Sequence, residues 1–181
     1  KMKKKYRYIA LNELLETLKN KDFDIRENAL FQLGLMLERS NNGETLSDAP
    51  DIYSDNLSRE MLRMVLGKDE QNRVIDALSR LIATQKDSRP TAFWTLSKAK
   101  GELALIPLLA LIKAVGHQLN NEAAYQACLA LKEWLNSDLL DSEDIREQLK
   151  LQDPTSALER WQESKDERLA DAVDDVMELL D

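Results

Sequence analysis

One cysteine, one histidine, five glycines and four prolines in 181 residues leave this chain little with which to punctuate a sheet or hold a metal. Cys128 has no second cysteine to pair with, so an intramolecular disulfide is excluded. Its neighbours Ala127, Leu129, Ala130 and Leu131 read as a buried helix face, on which a thiol behaves as a small hydrophobe. A zinc site or a Ser-His-Asp triad would rest on His117 alone, and Gly116-His117-Gln118 reads as a surface turn. Gly67-Lys68-Asp69 lacks the earlier glycine and the Ser/Thr of a phosphate loop. No cofactor, metal or catalytic residue is therefore expected. The longest apolar run, Leu103 to Ile112, is ten residues with Pro107 inside it, too short to span a bilayer. Lys3-Lys4-Lys5 leads into Ile9-Ala10-Leu11-Asn12 with no apolar leader, and a cytoplasmic location is expected.

Leu, Ala, Glu, Lys and Asp dominate what remains, which is the composition of helices. Charge is uneven along the chain. Residues 1–40 carry nine basic and six acidic side chains, whereas residues 138–181 carry five and 15. So acidic a C-terminal stretch repels phosphate backbones, and nucleic-acid binding is disfavoured.

Apolar residues recur at helical spacing almost throughout. Ile9, Leu11, Leu14, Leu15 and Leu18 form a first stripe that stops at Asn20-Lys21-Asp22. Ile25, Ala29, Leu30, Leu33, Met36 and Leu37 form a second, running up to Ser40-Asn41-Asn42-Gly43. Two helices joined by so short a turn must lie antiparallel. Residues 41–55 read as a long loop. Further helices are predicted over about 54–66, 71–84, 89–100, 103–115, 122–136 and 142–151. Ser88 and Asn120 or Asn121 are read as caps, and Pro90 is tolerated in a first turn. Asp153-Pro154 opens a helix toward Leu180, and Ser164-Lys165-Asp166 leaves open whether that stretch is one helix or two.

A pattern recurs within this series. Asp24-Ile25-Arg26-x-x-Ala29-x-x-x-Leu33-Gly34 matches Asp87-Ser88-Arg89-x-x-Ala92-x-x-x-Leu96-Ser97, and Ala123-x-x-x-Ala127-x-x-x-Leu131 continues it. Leu57-x-x-x-Met61-x-x-x-Val65 is a weaker copy, bringing the spacing close to 33 residues. The pattern resembles the second helix of HEAT repeats, and Gly101-Glu102-Leu103-Ala104-Leu105-Ile106-Pro107 resembles the opening of a HEAT first helix. The resemblance covers residues 8–136. It implies an all-α fold, an α-solenoid of about three to four helical hairpins. The domains would be a repeat array over 1–136, with a loop insertion at about 41–55, and acidic helices over 137–181 that cap the array. It also implies that second helices line the concave side, and that Arg26 and Arg89 bond acids such as Asp24 and Asp87.

Five residues after the arginine, HEAT repeats normally place a polar, groove-facing residue. Here that register holds Phe31, Trp94, Leu129 and, in the weak copy, Arg63, with Tyr125 one turn before Leu129. Phe31, Trp94, Tyr125 and Leu129 would form an apolar file flanked by Arg26, Arg63 and Arg89, residue types that dominate interface hot spots. The competing expectation is that these aromatics pack inward, as large aromatics at helical spacing usually do. Leu158, Trp161, Leu169, Ala172, Val173, Val176 and Leu180 make an apolar face that either caps the array or forms a homodimer. The resulting expectation is a non-enzymatic scaffold or adaptor that binds a partner peptide or helix. The alternatives are a HEAT-type lyase subunit acting on a bilin-bearing protein and, disfavoured by charge, a nucleic-acid-binding HEAT protein.

Overall fold

The computed structural model describes residues 2–42 and 65–181, with side chains from Ala10 onward. Every regular element among them is helical: α1 (Met2–Thr17), α2 (Phe23–Asn42), α3 (Lys68–Thr84), α4 (Arg89–Ser97) and α5 (Gly101–Val115). After these come α6 (Asn121–Leu135), α7 (Glu143–Leu151), α8 (Thr155–Gln162) and α9 (Glu167–Leu180). Short 3-10 turns cover Lys86–Ser88, Gly116–Gln118 and Asp138–Asp141.

Local chemistry sets most of the boundaries. Asp22 Oδ1 accepts from the Ile25 amide as α2 begins, and Glu70 Oε2 accepts from the Gly67 amide as α3 begins. Asn120 Oδ1 takes the Ala123 amide at 2.9 Å and so starts α6. Residues 154–180 are two helices, because Ser164 Oγ accepts from the Asp166 amide and Asp166 Oδ1 then accepts from Leu169. Asp153 Oδ1 accepts from the Thr155 amide at 3.0 Å, which puts Pro154 at the N-cap of α8 rather than inside it. Ser88 stands at the N-cap of α4 without capping it, since its hydroxyl accepts from Arg26 Nε instead. Some boundaries differ from expectation: α3 starts at Lys68 rather than 71 and α5 at Gly101 rather than 103. Helix α4 ends at Ser97, not Lys100, and Val65 and Leu66 are not helical.

One continuous apolar cluster joins Leu11 on α1 to Val176 on α9. The packing order of the helices is simple. Helices α2, α4, α6 and α9 lie side by side, each against the next. Behind them α3 packs on α5, Arg73 of α3 reaches Asn12 of α1, and Trp161 of α8 donates to the Gly116 carbonyl after α5. Neighbouring helices within the α2–α9 row run parallel. Thr91 donates to Glu27, Trp94 stacks on Phe31 and Lys98 pairs with Glu38, in that order along both α4 and α2. Arg168 pairs with Glu122 and Asp175 with Lys132, in order along α9 and α6.

Helices α2 and α4 touch directly, so their matching registers stand 63 residues apart and are not separated by another helix. The weak copy proposed at Leu57, Met61 and Val65 lies outside the described residues except for Val65, which is exposed. The loop expected over 41–55 lies outside them too, apart from Asn41 and Asn42, which finish α2. The C-terminal apolar face is used within the chain. Leu158, Trp161, Leu169, Ala172, Val173 and Val176 are all buried, with α9 laid against α6, and only Leu180 remains half-buried. Nothing in this packing supports a homodimer through that face.

Candidate interaction face

Helix α4 is flanked by α2 and α6 and backed by α3 and α5, so among the described residues one side of it stays open. Trp94 is half-buried on that side. Its ring stacks on Phe31 with centroids 5.6 Å apart and planes 12° from parallel, and Lys98 Nζ sits 5.4 Å from the ring centroid. The stack needs Gly34. A Cβ there would lie 2.4 Å from Trp94 Cζ3, so the glycine lets the indole settle flat against the α2 backbone.

Helix α6 continues the same side. Tyr125 is half-buried beneath the Arg168 guanidinium, 4.0 Å from its ring centroid, and Leu129 is 37% exposed. Lys132 donates to Asp175 at 2.6 Å one turn further on, a bond that raises the lysine pKa. Phe31 thus stacks on Trp94 across α2 and α4, Tyr125 and Leu129 follow on α6, and the pairs Lys98–Glu38, Arg168–Glu122 and Lys132–Asp175 bridge the helices. At one end of this face, Glu38, Lys98, Lys100, Glu102, Glu133 and Trp134 contribute to a cleft of about 400 Å³.

The two described arginines assigned to its flank are elsewhere. Arg26 is 2% exposed and spends all five N–H groups inside the chain. Nε donates to Ser88 Oγ, Nη1 to the carbonyls of Asn20 and Lys21, and Nη2 to both oxygens of Asp87. It clamps the α1–α2 turn to the α3–α4 turn. The partner is Asp87 rather than Asp24, because the guanidinium reaches across to the next turn. Arg89 is also 2% exposed, donating from Nε to the Ile82 carbonyl at 2.7 Å and from Nη2 to Gln118 Oε1 at 3.4 Å. Its Nη1 is buried with no acceptor among the described residues. Arg63 lies outside the described residues.

Reading the sequence missed the cations that do lie on the face. Lys98 was findable, since it follows Trp94 by four residues on one helix. Arg168 and Lys132 were not, because their partners lie 46 and 43 residues away. Also missed was Gln71, fully buried, which donates to Asn41 Oδ1 and accepts from the Lys100 amide, tying α3 to the end of α2 and to the α4–α5 turn.

Two further groups bear on chemistry. Cys128 is buried on α6, and desolvation pushes its thiol up to about 12, leaving almost no thiolate at neutral pH. Glu27, one turn before Phe31, has its pKa raised above 4.5, chiefly by burial, while Thr91 donates to one of its oxygens. His117 is exposed in the Gly116–Gln118 turn, away from this face. Among the described residues no group of histidine, cysteine and carboxylate side chains is placed to hold a metal, and no helix is long and apolar enough to cross a membrane. Comparison with family models, curated proteins and solved structures yields no match to this chain.

Proposed function

We propose that this chain is a non-enzymatic interaction module, a HEAT-like stack of helix pairs whose α2, α4, α6 and α9 together receive a partner segment. Three copies of the repeated motif fall on α2, α4 and α6, which are successive parallel neighbours, and this supports the stacked-repeat reading. In it, α8 and α9 serve as the closing pair that terminal repeats need for solubility.

The observation that carries the functional reading is Leu129. It occupies the register of Phe31 and Trp94, yet it stays 37% exposed in the middle of a helix whose Leu131, Trp134 and Leu135 are buried. An isolated exposed leucine has no meaning by itself. In this reading Leu129 extends the Phe31–Trp94 pair onto a third helix, and an apolar patch of that kind is the usual mark of an interaction site.

Leu129 is also the right residue to change, because Trp94 packs over Gly34 and its loss would disturb the fold. Wild-type chain and Leu129→Asp, both shown to be folded by circular dichroism, would be immobilised and exposed to a lysate of the source cells. The expected result is a protein retained by the wild type and lost, or weakened by about tenfold or more, with Leu129→Asp. Equal retention by both, or none by either, would remove this face as the site.

A further inference from the structure

Beyond Leu129 lies α9, and its side of the face has a different character. The rungs Tyr125–Arg168 and Lys132–Asp175 bracket Leu129 on α6 and Asp171 on α9, setting those two side by side. Arg168, Asp171, Asp175 and Glu178 recur at three- and four-residue steps, so they share one stripe of α9. Arg168 is engaged by Glu122 and Asp175 by Lys132. Asp171 and Glu178 are exposed and make no ion pair among the described residues. The face therefore runs from aromatic on α2 and α4, through Leu129 on α6, to unneutralised carboxylates on α9.

Packed helices stand about 8–10 Å apart. Seven residues of an α-helix advance about 10.5 Å and return to nearly the same face. A helix laid across the row would thus meet each successive helix with every seventh residue.

Resting on the interaction-module reading, we infer that the partner is an amphipathic helix with apolar residues at two successive heptad positions and a lysine or arginine one heptad beyond. The first apolar residue would sit over the stacked Phe31–Trp94 pair and the second over Leu129, and the cation would meet Asp171. An acidic end of this kind repels phosphate backbones and anionic bilayers, which favours a protein segment over either. The charge at the third position steers and orients the helix, while the apolar positions hold it.

The test uses a display library of helical peptides about 25 residues long, randomised along one face and selected on the full chain. Selected sequences should carry two heptad-spaced apolar residues with Lys or Arg one heptad beyond, at one end. Their binding should be lost with Leu129→Asp and weakened about five- to tenfold with Asp171→Lys, less so at high salt. Glu178→Lys is the second variant should Asp171→Lys fail to fold. Peptides that depend on Leu129 but show no basic preference, or prefer acids, and ignore both reversals would overturn the inference while leaving the interaction site standing. Peptides indifferent to Leu129→Asp, or no selected binders at all, would overturn both.

Discussion

The five N–H groups of Arg26 and those of Arg89 show how two residues in one motif can carry different energies. Arg26 is saturated, with a bidentate carboxylate, a hydroxyl and two carbonyls around it. Asp87 is exposed enough to be solvated once alone, so the cost of removing Arg26 comes from its lost hydrogen bonds to two carbonyls, a hydroxyl and that carboxylate, where bonds to charged groups are worth about 1.5–3 kcal/mol. Among the described residues Arg89 has no carboxylate partner and its buried Nη1 no acceptor, so part of its gain is already offset by desolvation. Arg26→Ala should therefore lower stability by about 3 kcal/mol in urea unfolding, and Arg89→Ala by about half of that or less. Equal losses would show that the two arginines contribute by packing alone. The aspartate two residues before each arginine was legible in the sequence, as was the idea of pairing between repeats. That both guanidiniums lie inside the chain was not, since burial depends on the neighbouring turn, 61 residues away for Asp87.

At the scale of elements, helix existence follows from short-range chemistry, whereas helix pairing follows from shape. Asn120, Asp153 and Pro90 sit at helix starts because their side chains or missing donors answer the unpaired amides there. Close approach of α4 to α2 depends on Gly34, where the backbone itself is the packing surface for Trp94. Gly34→Ala gains helix propensity of about 1 kcal/mol. The same methyl would have to displace the indole, and overpacking of this kind costs about 1–3 kcal/mol. We expect a net loss of stability and a red-shifted tryptophan emission that is absent when Trp94 has first been replaced by Phe. A stabilised Gly34→Ala protein with unchanged emission would refute the contact. Gly34 was visible in the sequence as part of a motif. Its partner was not, because no local pattern says which aromatic lies opposite a glycine.

For the molecule as a whole, the apolar cluster is continuous from α1 to α9, and the last pair of helices contributes heavily to it. Leu158, Trp161, Leu169, Val173 and Val176 are buried, at about 1.5–3 kcal/mol each. Their sum is comparable to the entire stability of an ordinary domain, about 5–15 kcal/mol. Deleting residues 153–181 should therefore leave a chain that aggregates or melts without cooperativity, with Cys128 newly reactive toward a thiol reagent. A truncated chain that melts sharply with Cys128 still protected would mean that α8 and α9 are dispensable. The acidic stretch 138–181 thus combines a net-acidic composition with an apolar face folded into the common core.

What the sequence by itself determined is the helical class, most helix starts, the burial of Cys128 and the shared register of Phe31, Trp94 and Leu129. These depend on periodicity and on bonds between residues a few positions apart, so they can be read along the chain. Only the tertiary structure decided that α2 lies directly on α4, that Arg26 and Arg89 are internal clamps, and that Lys98, Arg168 and Lys132 are the cations of the open face. Those facts depend on which surfaces fit together across 40 to 65 residues. Close packing selects such contacts by shape and desolvation, and neither is encoded in the spacing of any single helix.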